Sequence, residues 1–490
     1  MKTESGHPGD SPQAAASSGD SRREAATSGD DNQLRKGVTP TWAVFGVALG
    51  VLAPASTLGL ALGTVALTAG SMSWVTWLLT SVLVLGFGGG MAWLARRFTT
   101  TGGAYGLTAH TGNRSLAFLV LVAQVIAVCV AGPACVIGSA VYLQSWLDRI
   151  GLHGGRTAVL VVSTVVLTLV ITFMCLREIH VSAKALLVIE FVTVGVIGLL
   201  FVIVLVRAPG GVIDHRQFQF RGVSLTTILT ATAFSTYSMA GFDHSVTLGR
   251  EARDPRRAIS IAVLGSIVAV GVLYVVGSYV LVLGFRGLDF SATTAPLDTL
   301  ADHNNVGWLG YIIDLGVAIS FFGSALGIMA GTSRTLFTIA KDGLLPRRLA
   351  RVSPVHRAPA AAVFALSAFY LVVGVGGCLL ADGDTSYGVL GTFSGYWLVI
   401  DYGLCAIAAG IYALRRRSLA VGVTASALLG LAALLIVFYY SFHPFPAGVY
   451  GVVAWVFIAA VTATLVALVV LLATRANSLT RIGSADRAEL

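Results

Sequence analysis

ALGVLAPASTLG, residues 48–59, sits in the middle of an apolar run that extends from about residue 42 to about residue 69. About 20 apolar residues cross the hydrocarbon of a bilayer, so the run is long enough to span as a helix. Pro54 interrupts it. With no N–H, Pro54 leaves the carbonyl of Gly50 without its helical partner, and its ring clashes there. Ser56 and Thr57 then read as caps of a second half-helix. Membrane helices tolerate a proline as a plain kink, so the pattern gains meaning only where it recurs. It recurs at FSTYSMAGFDH, residues 234–244. Polar residues crowd the middle of that run, Gly241 permits unwinding, and Asp243 and His244 follow within the span.

Further apolar runs of spanning length surround these two. They lie at about 73–95, 115–146, 157–176, 185–206, 257–284, 308–333, 359–380, 387–413, 419–441 and 446–474; with 42–69 and 224–248 they make about twelve. The stretch from Leu116 to Leu143 contains no charged residue at all. The broken runs are the first and the sixth, five apart. Interruptions at corresponding places in two halves are the mark of an inverted repeat, with the binding site at the breaks. Helices 1–5 and 6–10 then form the repeats, and helices 11 and 12 are appended.

Composition agrees. The chain is 56% hydrophobic and 11% charged, with a mean hydropathy of +0.83, whereas roughly 25% of residues are charged in soluble domains. Closed barrels are excluded because their strands alternate apolar and polar over about 10 residues. The net charge of +9 raises the question of nucleic acid, but its distribution answers differently. With the N-terminus in the cytoplasm, the even-numbered connections hold 18 Lys and Arg and the opposite side holds 6 (Arg149, Arg156, Arg207, Arg216, Arg221 and Arg286). That is the positive-inside bias, and it places both termini inside a cytoplasmic membrane. The basic balance is topological, and no nucleic-acid partner is expected.

Residues 1–40 are rich in Ser, Gly, Ala, Asp and Arg and read as a disordered cytoplasmic tail, 41–475 as the helical domain, and 476–490 as a second cytoplasmic tail. No cleavable signal is expected, because the first apolar stretch is too long and too late. Cys129, Cys135, Cys175, Cys378 and Cys405 all fall within spans without metal-ligand spacing and read as small packing residues. Neither a metal nor a cofactor is expected.

Three segments between the spans carry a recognisable pattern. ARRFTTTGGAY (95–105) follows helix 2; GFD (241–243) with LGREARDPRRAI (248–259) links helices 6 and 7; SRTLF (333–337) with KDGLLP (341–346) follows helix 8. Together, in this order and spacing, they resemble the amino acid–polyamine–organocation permeases over roughly residues 40–475. The resemblance implies a leucine-transporter-like fold of five plus five inverted helices, with substrate between the breaks of helices 1 and 6 and side-chain contacts from helices 3, 8 and 10. On this sequence those breaks are Ser56, Thr57 and Leu58 in the first span and Ser238, Met239, Ala240 and Gly241 in the sixth. The N-terminal end of a half-helix offers free N–H groups and a positive dipole end to a carboxylate, and unwound carbonyls receive an ammonium, so an α-amino acid matches both. The sequence departs from the common pattern in places. Ala55-Ser56-Thr57 replaces Gly-Ser-Gly and puts Cβ atoms where backbone usually meets substrate. Trp93 stands for Glu, Thr99 for Pro and Asp243 for Glu.

Ionisable residues inside a bilayer are functional candidates by default. Glu190 lies about one and a half turns into helix 5, where some related permeases place a Lys at the position of a bound cation. It reads either as a proton carrier or as an interfacial partner of Lys184 or Arg177. Asp401, near the middle of helix 10, reads as a coupling or substrate contact or as a structural hydrogen bond. Asp243 with His244 reads as a gating pair or as a cap of the second half-helix. Asp314 reads as a vestibule residue. Gln124 and the Gly132-Pro133 kink offer pocket lining or packing, and Glu251, Asp254 and Arg256 read as surface ion pairs of little weight.

The expectation is therefore an all-α secondary transporter of an amino acid or related amine, proton-coupled, with protons and the lipid bilayer as its partners. An exchanger without ion coupling is the alternative. A membrane-embedded enzyme would need clustered ligands or a nucleophile–base set, a channel would need pore-lining repeats or charged rings, and an ATP-driven pump a phosphate-binding loop. The sequence offers none of these patterns.

Overall fold

The computed structural model describes residues 37, 39–177, 180–208, 210–219, 223–293, 295–351, 359–418, 420–474 and 482–483. They are helical almost throughout. Among them the sole β pairing is an isolated bridge between Thr39 and Ala252. Ten helical stretches are long and apolar enough to cross a membrane. One of these, Thr41–Ala95, turns at Gly70 (φ 56°) and holds two spans. A discontinuous sixth span completes the twelve.

We label the spans α1 to α12. The first comprises α1a (Thr41–Leu52) and α1b, which runs on from Pro54–Ser56 through a π-helical turn, Thr57–Ala61, to Leu62–Ala69. There follow α2 (Ser73–Ala95), α3 (Arg114–Arg149), α4 (Arg156–Leu176) and α5 (His180–Arg207). The sixth span is α6a (Leu225–Tyr237) and, beyond a non-helical step, the 3-10 segment α6b (Phe242–Leu248). The rest are α7 (Pro255–Gly284), α8 (Trp308–Lys341), α9 (Ala360–Leu380), α10 (Gly383–Arg415), α11 (Val421–Phe442) and α12 (Gly448–Thr474).

Small residues set the packing at the centre. A Cβ added at Gly90 of α2 would lie 2.7 Å from the backbone of Ala406 on α10, and one at Gly316 of α8 would lie 2.3 Å from Thr193 on α5. Close backbone approach of this kind is the usual way membrane helices associate, because lipid supplies no hydrophobic drive between them. Large apolar side chains point outward on the peripheral spans, among them Val162, Phe191, Val372 and Leu472. Pro133 does not stop α3, which runs unbroken through it; the adjacent Gly132 leaves room for the ring of Tyr370.

The predicted caps of α1b are corrected. The break falls at Ala53 (φ 47°, ψ 63°), with Pro54 as the first helical residue and Ser56 and Thr57 already inside the helix. Proline favours the first helical position, since its missing N–H would be unsatisfied there anyway. The expected tails fall largely outside the described residues. Just before α1a, the N–H of Gly37 donates to the carbonyl of Arg250 (3.3 Å) and that of Thr39 to Glu251 (2.8 Å).

Candidate binding and coupling site

The two breaks meet. Thr57 Oγ1 donates to the carbonyl of Ser238 at 3.3 Å. Gly241 (φ 123°) lies against α1a, where a Cβ would come within 2.8 Å of Val51 Cγ1 and 3.1 Å of its backbone carbon. Only glycine takes that backbone conformation without strain.

At the α1 break every donor of the first turn is accounted for. Pro54 has none. The Ala55 N–H donates to Glu190 Oε1 at 2.8 Å. The Ser56 N–H is shared between the Ala53 carbonyl (3.1 Å) and Ser320 Oγ of α8 (3.3 Å), and the Thr57 N–H goes to Ala53 (3.3 Å). Ser56 Oγ also donates to the Ala53 carbonyl (2.7 Å), and Ser324, one turn beyond Ser320, donates to the carbonyl of Val51 (2.7 Å). Glu190 is thus no interfacial residue. It is 7% exposed and belongs to a three-helix junction of α1, α5 and α8. The expectation that α1b holds its N–H groups open for a ligand fails here, because the chain's own carboxylate and hydroxyl fill them.

The α6 break is held differently. The Gly241 N–H donates to the Tyr402 hydroxyl (3.1 Å), and that hydroxyl donates to Asp243 Oδ1 (2.5 Å). His244 Nδ1 lies 3.4 Å from the same oxygen. Next to Tyr402 on α10, Asp401 is fully buried, and neither of its carboxylate oxygens has a hydrogen-bond partner. Asp243 and His244 thus form a buried pair held by Tyr402, and Asp401 is buried next to that tyrosine along α10. Leu58 turns toward Gly277 of α7 and Met239 toward Ser81 of α2, so both side chains belong to the packing around the breaks.

Ion pairs tie both ends of the bundle. At one end of the bundle Arg334 of α8 reaches Glu251 at 2.7 Å, and Glu251 is buried. This corrects the reading of a surface cluster: Glu251 bridges to α8, while Asp254 accepts from the Arg257 N–H and caps α7. Tyr105 donates to Asp342 at 2.5 Å, and Gln124, rather than lining a pocket, accepts from the Tyr105 N–H at 2.8 Å. At the opposite end Arg149 of α3 contacts Asp298 (2.6 Å), on the short helix Pro296–His303, and Asp314 of α8 (2.8 Å). Asp314 is thereby a buried ion-pair member rather than an open vestibule residue. Burial pushes the Asp298 carboxyl up from its ordinary value despite Arg149. For Asp214, burial acts in the same direction, but Arg286 and the Arg216 N–H outweigh it and hold the carboxyl below the ordinary range.

The sequence did not point to Ser320, Ser324 or Tyr402. The first two are four residues apart and so share one helical face, which is the signal that was available. No group of three or more His, Cys, Asp or Glu suited to a metal occurs among the described residues.

Twelve spans with two discontinuous helices meeting at their breaks define a leucine-transporter-like fold. The chain belongs to the amino acid permease family, which it matches over residues 40–474. It is 23% identical over 309 residues to the branched-chain amino acid permease BcaP of Bacillus subtilis, a match covering 61% of this chain and 66% of that protein. It is 34% identical over 180 residues to an uncharacterised transporter of Mycobacterium tuberculosis, covering 36% of this chain and 38% of the relative. In both cases the match spans less than two-thirds of the relative's length. Among solved structures, the fold is similar to that of a manganese transporter of Eremococcus coleocola in complex with an aromatic bis-isothiourea substituted compound. The TM-score is 0.56 at 13% identity, covering 93% of this chain and 99% of that one.

Proposed function

We propose that the protein is a secondary active transporter of an amino acid or related amine, coupled to protons through Glu190, in a cytoplasmic membrane with both termini inside. Family membership supports the solute class and the paired breaks support the site, at Ser56–Thr57 and Ser238–Gly241. The observation that carries the coupling is the 2.8 Å bond from the Ala55 N–H to Glu190 Oε1. An ionised Glu190 holds the N-terminal end of α1b with a charge-assisted bond, which is about twice as strong as a neutral one. A protonated Glu190 holds it less, so binding a proton loosens the junction of α1, α5 and α8. Asp243, His244 and Asp401 act as a second, gating group where α6 meets α10.

The test is uptake into proteoliposomes with and without an imposed inward proton gradient. Glu190→Gln keeps the shape and fixes the side chain neutral. It should lose gradient-driven accumulation and keep counterflow exchange, which needs only the site and the rocking motion. A variant that still concentrates solute with wild-type pH dependence removes Glu190 from coupling. Fusions after Thr101 and Arg348 should report cytoplasm and one after Asp382 the exterior; a cytoplasmic signal at Asp382 would overturn the topology.

A further inference from the structure

We infer that the solute is an amine lacking an α-carboxylate, because the helix end that would bind that carboxylate is closed by the chain itself. This rests on the transport reading above and narrows it. A free carboxylate in a broken-helix site is held by unpaired N–H groups at a half-helix N-terminus. In α1b the first residue is Pro54, which has no N–H, and the next three N–H groups end on Glu190, Ser320 and Ala53. In α6 the Gly241 N–H ends on Tyr402.

Charge points the same way. The acidic groups next to the breaks are Glu190, Asp243 and Asp401, all buried, and among the described residues the basic side chain in contact with one of them is His244, beside Asp243. A substrate carboxylate would have to displace Glu190 from Ala55 and then lie beside it. An ammonium meets the opposite situation, because the buried charged groups beside the breaks are mainly acids and the Ser238 carbonyl, which accepts from the Thr57 hydroxyl, lies where the breaks touch. The replacement of Gly-Ser-Gly by Ala55-Ser56-Thr57 fits a site whose α1 backbone is no longer required to meet a ligand carboxylate.

Matched pairs that differ by that one group test the inference on the purified full-length protein. Suitable pairs are leucine with 3-methylbutylamine, lysine with 1,5-diaminopentane, and arginine with agmatine. Each is measured by thermal-shift titration in detergent and by counterflow in liposomes. In the pair that binds, the amine should bind at least about tenfold more tightly, a difference of about 1.4 kcal/mol. An amino acid that binds as well as its amine, or better, overturns the inference and leaves the transport reading standing. Failure of every member of every pair to bind or to be carried overturns both. Glu190→Ala frees the Ala55 N–H and should move the amino-acid-to-amine ratio at least about tenfold toward the amino acid. Ser320→Ala frees one bond of the Ser56 N–H and should move the ratio the same way, which keeps the test open should Glu190→Ala fail to fold. A ratio unmoved in a folded variant of either kind overturns the inference.

Discussion

The breaks in α1 and α6 occupy corresponding places in the two halves of the fold, yet they are built from opposite materials. In α1 a proline makes the break, and a non-glycine residue, Ala53, sits in the left-handed region at φ 47° to accommodate it. The freed backbone is then satisfied from α5 and α8 by Glu190 and Ser320. In α6 no proline is present. Gly241 makes the break, and one tyrosine hydroxyl from α10 serves both its N–H and the Asp243 carboxylate. A titratable group thus holds the α1 break directly, whereas a neutral hydroxyl stands between backbone and acid in α6. Proton occupancy should accordingly act on α1 first.

The largest expected effect tests the α6 side. Gly241→Leu adds a side chain where Val51 already stands and forces a backbone conformation that only glycine takes freely. Strain and overpacking together should remove roughly 3 kcal/mol or more of stability. A marked drop in Tm with loss of monodisperse protein is the expected outcome, and a wild-type Tm would show that α6b does not pack on α1a as described.

Next is Tyr402→Phe, which deletes the hydroxyl shared by the Gly241 N–H and Asp243 and leaves both buried without it. It should cost about 1–3 kcal/mol while leaving the proton dependence of uptake intact, since the Ala55–Glu190 bond is untouched. A Tyr402→Phe protein that loses its proton dependence would reverse the assignment of coupling to α1.

A smaller effect marks the connection between α5 and α6 as separate from both breaks. Asp214 is held below its ordinary pKa of 3.8 in the folded protein. Its contact with Arg286, 2.9 Å long, is therefore at full strength above that value and is lost as pH falls through the lower folded one. Amide exchange at residues 214–218, corrected for its intrinsic pH dependence, should stay slow down to about pH 4 and rise below it. Arg286→Gln should bring exchange to the fast level already at neutral pH. A loop that loosens near pH 6 would point to another group.

The smallest effect returns to α1. Ala53→Gly relieves a left-handed residue worth about 1–2 kcal/mol, but adds freedom to the unfolded chain that takes back about 0.5–1 kcal/mol. A Tm rise of a few degrees at most is expected. A large fall would mean that the Ala53 methyl has a packing role that the φ of 47° does not reveal.

Much of this was legible in the sequence. Span count, interruption of the first and sixth helices, and the family pattern follow from run length, from Pro54 and Gly241, and from segments such as ARRFTTTGGAY and LGREARDPRRAI. Local sequence stops being informative where a partner lies far along the chain. Ser56 and Thr57 look like caps because they are good capping residues following a proline; the structure places the cap at Ala53, since Pro54 itself fits the first helical position. Glu251 has Asp254 and Arg256 as its charged neighbours in sequence, yet it pairs with Arg334, 83 residues away.

The sequence by itself determined that this chain spans a membrane about twelve times, that two of its helices are broken in register, and that acidic residues lie inside it. These are properties of run length, of proline and glycine stereochemistry, and of residue type, all of them local. Tertiary structure alone decided which group each broken helix end meets. Glu190 reaches Ala55 across 135 residues of chain, and Tyr402 reaches Gly241 across 161. Such contacts depend on how helices cross, and a backbone N–H carries no mark in the sequence of the side chain that will satisfy it.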